Sequence, residues 1–432
     1  MRNCILAQVV EAEVTFVEQP FAMPLVLSSG AISVITQATA RVRVQVGDRE
    51  ADGYGCVYLS DLWAWPEPEL THAERDAAMR AFCTTLARQL PTILHTSAHP
   101  LELGMTLHAH LENSPDPNRL PLLARIISAS PFDAAIHDAV GIAMDRNALR
   151  LYDDVQPMPA LDGLFDGKPG AACAAIRRVL ANPPRRSCAG WWIVGKNDDL
   201  SRDVGPALKD HGYYTFKIKT QGKSAREDAR RVVDIYRFAK STGHRSPRLS
   251  IDSNCGNPDA ASVAEFLESV LALDGDAYDA IEVLEQPTAR DIAGHAFNWR
   301  PLTKMKSVVV DEGLTGVESM RLACEQGWSG YAIKTCKGHS FTLVCTAWAK
   351  AHGMDVVLMD LTNPNLSAIH SALLAATLPT SNGIELNSVQ FTPDANASCR
   401  EALPGLFDVR DGEHALPSAD VVGLGSGLCG NK

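Results

Sequence analysis

The segment Tyr213-Tyr-Thr-Phe-Lys-Ile-Lys219 constrains the fold more than any other part of the chain. Its aromatic and apolar residues predict a buried strand, yet Lys217 and Lys219 stand two positions apart in it. Residues i and i+2 of a strand point to the same face, so both ammonium groups leave one side of the sheet. They must be paired, hydrated in a cleft or shifted in pKa, unless this is an edge strand with solvated lysines.

Regularly spaced apolar runs follow this segment and favour the buried alternative. Five runs end in an ionisable residue and a sixth ends in an amide: 248–252, 280–285, 307–312, 330–334, 355–360 and 383–387. Counted from Lys219 to Asp252, Glu285, Asp311, Lys334, Asp360 and Asn387, the steps are 33, 33, 26, 23, 26 and 27 residues. Each step is close to one strand plus one helix with its loops. Helical patterns at 225–239 and 260–271 lie between the runs, and 190–195 supplies an eighth strand. The sequence therefore predicts an α/β fold with a (β/α)8-type barrel.

Composition excludes several classes of protein. The 432 residues are 46% hydrophobic and 21% charged, as in an ordinary globular protein, and suit a barrel plus one accessory domain. A net charge of −11 argues against a nucleic-acid surface, and no apolar stretch approaches the ~20 residues that cross a membrane. Eleven cysteines without a C-x-x-C pair suggest reduced thiols. We expect a cytoplasmic homo-oligomer that binds neither nucleic acid nor membrane.

The chain divides into four predicted parts. Residues 1–150 form an α+β domain, residues 151–187 a linker, residues 188–395 the barrel, and residues 396–432 a tail that returns to the first domain. The linker is rich in Pro, Gly and Asp and contains one predicted helix, 171–180.

Within the first domain, strict alternation over 40–46 predicts a strand, and Asp52-Gly-Tyr-Gly55 suggests a turn. Helices are predicted over 69–89, 118–128 and 133–148. Two segments, 19–30 and 59–66, are predicted to be loops. The second loop contains Trp63 and Trp65, which either pack the domain or face a substrate.

Charges that end neighbouring barrel strands converge at one mouth. Asp252, Glu285 and Asp311 would offer hard oxygen ligands on three adjacent strands, the donor set suited to Mg²⁺. Lys219 and Lys334 would flank the cation, which could bind a small-molecule carboxylate and stabilise the enediolate formed when its α-proton leaves. To act as a base, each lysine must be partly neutral near pH 7.

These residues resemble the enolase superfamily, in its branch of muconate-lactonizing enzyme and mandelate racemase. The resemblance rests on short motifs: Lys217-x-Lys219, Asp252-x-Asn254, Glu285-Gln-Pro287, Asp311-Glu312 and Lys334-x-x-Lys337-x-His339. Residues 133–143 also resemble the helix that ends the family's capping domain. The family implies the modified (β/α)7β barrel with an N-terminal α+β capping domain. The lysine after the sixth strand is closer to the muconate-lactonizing subgroup.

The resemblance implies roles residue by residue. Asp252, Glu285 and Asp311 would bind Mg²⁺, and Lys219 and Lys334 would be acid/base groups on opposite faces of the substrate. Lys217 would lower the pKa of Lys219 or touch the substrate carboxylate. Further residues would support the ligands or contact substrate: Asn254, Glu312, Lys337, Asp360, Trp63 and Trp65. Lys337 could equally be a surface residue, and Asp360 and His339 ordinary loop residues.

Departures from the family pattern concern the substrate. The family's usual glycine pair is Gly338-His339, and the glutamate expected after Gly55 is Cys56. Specificity would come from 19–30, 59–66, 360–363 and 385–387. The implied activity is a Mg²⁺-dependent isomerase that acts by racemisation, epimerisation or cycloisomerisation. The same site could run dehydration of an acid sugar or related hydroxy acid, which would make the protein a lyase. A Schiff-base aldolase and a non-enzymatic acid-binding barrel are further alternatives.

Overall fold

An antiparallel sheet and the helices packed on it form the first part of the protein. The computed structural model describes residues 4–27, 30–114, 119–181, 183–418 and 420–429. The sheet contains β1 (Ala7–Leu27), β2 (Gly30–Val46) and β3 (Arg49–Tyr58), in that order. The helices are α1 (Asp61–Ala64), α2 (His72–Ile93), α3 (Pro100–Asn113) and α4 (Leu122–Ala143). This is the α+β capping domain that the sequence predicts.

The predicted loop over residues 19–30 is wrong where the structure describes it. β1 continues to Leu27, which pairs with Gly30 of β2, and the register shifts between Pro20 and Leu25. Residues 28 and 29 lie outside the described residues. β1 is an edge strand, and an edge strand tolerates proline because its amide need not join the ladder.

Gly53 and Gly55 do not form a turn, because both lie inside β3. A Cβ atom at Gly53 would stand 2.2 Å from the backbone nitrogen of Ala139, and one at Gly55 would stand 2.2 Å from the carbonyl oxygen of Pro131. The glycines therefore allow α4 to lie directly on the sheet. α4 is one helix across the predicted break between residues 128 and 133.

Eight parallel strands form the second part of the protein. They are β4 (Ser187–Val194), β5 (Thr215–Lys219), β6 (Arg248–Asp252), β7 (Ile281–Glu285), β8 (Ser307–Val310), β9 (Gly330–Ile333), β10 (Asp355–Leu358) and β11 (Ile384–Glu385). The helices up to β11 are α5 (Ala171–Leu180), α6 (Gly205–Asp210), α7 (Ala225–Thr242), α8 (Ala260–Leu273), α9 (Gly275–Ala280), α10 (Arg300–Thr303), α11 (Val317–Gln326), α12 (His339–Ala351) and α13 (Asn365–Thr377). The predicted linker helix is confirmed as α5.

The strand order β10-β9-β8-β7-β6-β5-β4-β11 closes into a barrel. Between the two outer strands, Ser381 N donates to Val356 O at 3.0 Å, and Asn382 bonds both backbone groups of Leu358. After β11 the described residues form short elements, among them α14 (Ser388–Phe391), α15 (Ala397–Arg400), α16 (Pro404–Phe407) and β12 (Glu413–Ala415), which pairs antiparallel with β4. Seven strand–helix units and a final strand are the predicted (β/α)7β form.

The barrel interior changes from apolar to charged along the strands. One buried apolar cluster contains Val283, Val309, Ala332, Val357 and Met359. Glu285, Asp311 and Lys334 lie two residues beyond the first three members of this cluster and continue the same inward faces. The apolar cluster therefore forms the floor beneath the charged mouth.

The tail after β12 is tied to both parts of the protein. Leu424 N donates to Asp138 Oδ1 on α4 at 2.6 Å, and Cys429 forms a disulfide with Cys399. The expectation of reduced thiols is wrong for this pair, whereas the nine other cysteines are free. Of the helices in the described ranges, none is both long and apolar enough to cross a bilayer.

Candidate active site at the carboxyl end of the barrel

Seven ionisable side chains meet at the carboxyl ends of the barrel strands. They come from β5, β6, β7 and β11 and from the segments after β8 and β9: Lys217, Lys219, Asp252, Glu285, Asp311, Lys334 and Glu385. All seven are buried. Charges at such depth are stable only when they are compensated, so the way in which they pair determines what the site can do.

Lys217 bridges three carboxylates. Its Nζ lies 2.6 Å from Glu285 Oε2 and 3.3 Å from Asp252 Oδ2. Glu385 approaches the same nitrogen with Oε2 at 3.1 Å, and its Oε1 accepts a hydrogen bond from Asn387 Nδ2 at 2.6 Å. β11 ends at Glu385 and not at the predicted Asn387. Its contact with Lys217 places Glu385 in the charged centre.

Lys219 lies at one side of this centre. Its Nζ is 2.6 Å from Asp252 Oδ2 and donates to Asn254 Oδ1 at 3.1 Å. Asn254 has a positive φ of 45°, and its side chain also donates to Asp252 Oδ2 at 3.2 Å and to Glu312 Oε1 at 3.3 Å. Asn254 thus holds a ligand candidate in place.

Lys334 lies at the other side, with its Nζ 2.7 Å from Asp311 Oδ2 and 3.4 Å from Glu285 Oε1. Lys337 also points inward. Its Nζ donates to Asp311 Oδ1 at 2.8 Å and to the Asp311 carbonyl at 2.5 Å. The surface alternative for Lys337 is therefore wrong, because the short 3-10 turn after β9 directs this side chain under the site.

The two tryptophans of the capping domain have different positions. The Trp63 ring centroid lies 4.7 Å from Lys334 Nζ, and Trp63 Nε1 donates to Glu312 Oε1 at 2.9 Å. Trp63 is buried and covers the charged centre. Trp65 is partly exposed and lines an adjacent cavity of about 740 Å³ together with Arg290 and Glu312.

Gln286 connects the loops around the site and was named only as part of a motif in the sequence. Its φ is 32°, and its Oε1 accepts from the backbone nitrogens of Asp311 at 2.8 Å and Gly313 at 3.1 Å. Its carbonyl accepts from Cys255 N at 2.9 Å. A strained residue held by three loop contacts fixes the position of Asp311.

Burial and pairing act in opposite directions on the carboxyl groups. Burial alone raises the pKa of Asp252, but Lys219 and Lys217 outweigh burial and lower this pKa to about 2. Burial raises the pKa of Glu285 to about 8, and the nearby Asp252 and Asp311 carboxylates act in the same direction against the lysines. Of Asp252, Glu285 and Asp311, Glu285 therefore holds a proton most readily.

Lys217 and Lys334 are held as ammonium ions. Burial lowers the pKa of Lys334, but Asp311 and Glu285 outweigh it and place this pKa well above its usual range. The pKa of Lys217 is raised against burial by Glu285 and Glu385. Without a further cation, Lys334 does not meet the expectation that it is partly neutral near pH 7.

Asp360 borders this centre, because its backbone nitrogen donates to Glu385 Oε2 at 3.4 Å, whereas His339 stands apart from it. Asp360 accepts backbone hydrogen bonds from Leu361, Asn363 and Asn387 at 2.7 to 2.8 Å, and burial together with Glu385 raises its pKa to about 7. It therefore shapes the loop after β10. His339 is buried at the start of α12 against the ring of His137, with ring centroids 4.6 Å apart, and reaches none of the seven residues.

The donor chemistry of the site fits a hard divalent cation. Asp252, Glu285 and Asp311 provide carboxylate oxygens on consecutive strand ends. Glu285 Oε2 and Asp311 Oδ2 accept no hydrogen bond of good geometry from the described residues, although each faces a lysine ammonium group. Among the described residues, no three His, Cys, Asp or Glu side chains are grouped at metal-binding spacing. The lysines stand between the carboxylates instead.

Solved structures of known proteins match this chain over nearly its whole length. Muconate lactonizing enzyme from Pseudomonas fluorescens, complexed with muconolactone, is 16% identical with a TM-score of 0.65, and the match covers 97% of this chain and 96% of that one. N-succinyl Arg/Lys racemase from Bacillus cereus is 17% identical with a TM-score of 0.66, and the match covers 98% of this chain and 95% of that one. Dipeptide epimerase from Enterococcus faecalis, complexed with Mg and L-Leu-L-Tyr, is 15% identical with a TM-score of 0.65. The match covers 97% of this chain and 99% of that one.

At these identities, the likeness to the solved structures shows the fold alone. No curated protein matches the chain. The family described as enolase C-terminal domain-like matches residues 199–429, which is more than half of the sequence. This match includes all seven residues of the charged centre. The chain is therefore an enzyme of the enolase superfamily.

Proposed function

We propose that the protein is a Mg²⁺-dependent isomerase that moves the α-proton of a small carboxylate substrate. The observation that carries the proposal is the placement of two lysines on opposite sides of a row of three carboxylates. Lys219 ends β5 and Lys334 follows β9, and these strands are four positions apart in an eight-stranded barrel. The carboxylates stand on the strand ends between them.

Asp252, Glu285 and Asp311 are the residues that would hold the cation. When bound, Mg²⁺ would supply the positive charge that a carboxylate substrate needs as its α-proton leaves. Solved structures of this fold include the dipeptide epimerase complexed with Mg and a second protein complexed with magnesium and mandelic acid. The hard oxygen donors of this chain support the same choice of metal.

Lys219 and Lys334 would give or take a proton on opposite faces of the α-carbon. The carboxylates that now keep Lys334 charged would lose that effect once their charge is neutralised, which would lower its pKa toward the working range of a base. Lys217 would remain an ammonium group and face the substrate carboxylate. Asn254, Glu312 and Lys337 would keep the ligands in place.

Trp63 would close the site from the capping domain. Its indole already covers Lys334 and bonds to Glu312, so a substrate that reaches Lys334 must displace or pack against this ring. Arg290 holds the Trp63 carbonyl with a hydrogen bond of 3.0 Å from the barrel side. Trp63 lies in the short helix α1, where the sequence predicts a loop, and α1 would therefore contact both the substrate and the barrel.

Deuterium exchange in D₂O with Mg²⁺ tests the proposal. Wild type is screened against acid sugars, N-acyl amino acids, dipeptides and muconate-like acids. With a chiral substrate, Lys219→Ala should reduce exchange from one enantiomer by about 100-fold or more, and Lys334→Ala should do so for the other. The exposed Lys350→Ala is the matched control and should retain both.

Other results would assign the site differently. Loss of water from the substrate would identify a dehydratase, and complete loss of exchange in only one variant would indicate a one-base reaction. Covalent trapping by borohydride, without sensitivity to EDTA, would identify a Schiff-base enzyme. Wild-type exchange in both lysine variants would overturn the two-base mechanism.

A further inference from the structure

A second cavity lies away from the barrel mouth, where the capping domain, α5 and α13 meet. Its volume is about 330 Å³, and none of the seven residues of the charged centre lines it. Cavities of roughly 300–1,000 Å³ are the size that binds small molecules. Its apolar wall is formed by Leu149, Leu180, Leu373 and Ala376. The cavity can therefore hold a short apolar body.

Asn147 supplies a polar group in this wall. The residue is 6% exposed, and its Oδ1 accepts from Leu149 N at 2.8 Å. Its Nδ2 is buried without an acceptor among the described residues. A buried donor without an acceptor is rare, and a ligand oxygen in the cavity would satisfy it.

Two arginines line the same cavity. Arg150 donates from Nε to Asp153 Oδ2 at 3.0 Å, and Asp153 is the only acidic side chain of the lining. Arg177 makes no hydrogen bond or ion pair with any residue in the described ranges, and it lies in the last turn of α5. The partial negative charges at the carbonyl ends of α5 and α13 offset part of the positive charge of the two arginines. One free guanidinium remains beside the apolar wall.

We propose that this cavity is a binding site for a small monocarboxylate with a short hydrocarbon or aromatic body. Arg177 matches a carboxylate with two parallel N–H donors, and Asn147 Nδ2 offers a third donor. A phosphate would place a denser charge against the apolar wall with only one unpaired cation to meet it. The site is separate from the proposed function and does not depend on it.

Calorimetry on the full-length protein with hexanoate, hexan-1-ol and hexylamine tests the site. Hexanoate should bind, whereas the alcohol and the amine should bind more weakly by about tenfold or more. Arg177→Gln should weaken hexanoate binding by about tenfold, while Arg178→Gln should leave it unchanged. Arg178 is the matched control because, like Arg177, it is an exposed arginine in the last turn of α5, but it does not line the cavity.

Asn147→Asp is the second variant. It retains the oxygen that bonds Leu149 N, removes the free donor and adds a negative charge, so hexanoate binding should be lost. Because a carboxylate could also enter the barrel mouth, only binding that depends on Arg177 and Asn147 supports the site. Absence of hexanoate binding, equal binding of the three probes, or wild-type affinity in either variant would overturn the proposal.

Discussion

The barrel mouth and a histidine cluster beneath the capping domain are both buried and polar. The mouth contains charged side chains, whereas the histidines of the cluster are neutral. The histidine cluster consists of His99, His137, His339 and His370, all nearly inaccessible to solvent. It lies between the capping helices and the barrel helices α12 and α13. At the barrel mouth each carboxylate faces an ammonium group, whereas the imidazoles have no such compensation.

Burial therefore has different outcomes in the two regions. Desolvation lowers the pKa of His339 and of His370 to about 3, so these rings are neutral at pH 7. Asp133 is the nearest carboxyl group to His137, at 3.7 Å, but it accepts hydrogen bonds from Ser340 N and Oγ. Burial raises the pKa of Asp133 to about 6. Lysine partners keep the Asp252 carboxylate charged against burial, whereas the buried imidazoles of His339 and His370 lack such partners and are neutral.

Breaking one ion pair of the barrel mouth should have the largest effect on stability. Lys337→Met removes an ammonium group that bonds Asp311 and leaves a buried carboxylate less compensated. We expect a loss of about 3–5 kcal/mol in the free energy of unfolding, measured by urea denaturation. Lys350→Met, at the exposed end of α12, should change stability by less than about 0.5 kcal/mol. Equal stability of the two variants would mean that the mouth does not depend on paired charges.

The histidine cluster should make the protein sensitive to acid. The unfolded chain binds a proton at His339 near pH 6.5, whereas the folded protein resists it until about pH 3. The free energy of unfolding should therefore fall as pH decreases from about 6.5 toward 3, by about 1.4 kcal/mol per pH unit for this residue. His339→Leu should remove that part of the slope.

Urea denaturation at pH 7 and pH 5 measures the difference. Wild type should lose about 2 kcal/mol more than His339→Leu over this interval. His244→Gln, an exposed control, should lose as much as wild type. Parallel losses in wild type and His339→Leu would show that the cluster is not kept neutral by burial.

A smaller effect is expected where the two domains meet over the site. Trp63→Phe keeps an aromatic ring near Lys334 and removes the Nε1–H donor to Glu312. Because Asn254 still donates to the same oxygen, we expect a loss of about 1 kcal/mol. Trp65→Phe should cost less, since Trp65 is partly exposed. A larger loss for Trp65 in thermal unfolding would reverse the positions assigned to the two rings.

The sequence could predict the strand ends of the barrel because a charge after an apolar run is costly and therefore informative. Asp252, Glu285 and Lys334 each showed this signal. Glu385 did not, because β11 has only two residues and the run 383–387 does not reveal where pairing stops. Lys337 was ambiguous because its direction depends on a turn that has no periodic pattern.

Contacts between distant segments could not be predicted from the sequence. His339 faces His137 only because α12 packs against α4, and Cys399 meets Cys429 only because the tail folds back. Gly53 and Gly55 were interpreted as turn residues, although their function is to admit a helix. In each case the deciding partner lies far away along the chain.

Magnesium binding measured by calorimetry tests the central claim most directly. The claim is that Asp252, Glu285 and Asp311 form one cation site between two lysines. Wild type should bind one Mg²⁺ per chain, Asp311→Asn should lose this binding, and the exposed Asp276→Asn should retain it. If wild type binds no Mg²⁺, or if Asp311→Asn binds it with wild-type affinity, the carboxylates of the barrel mouth are not the metal site.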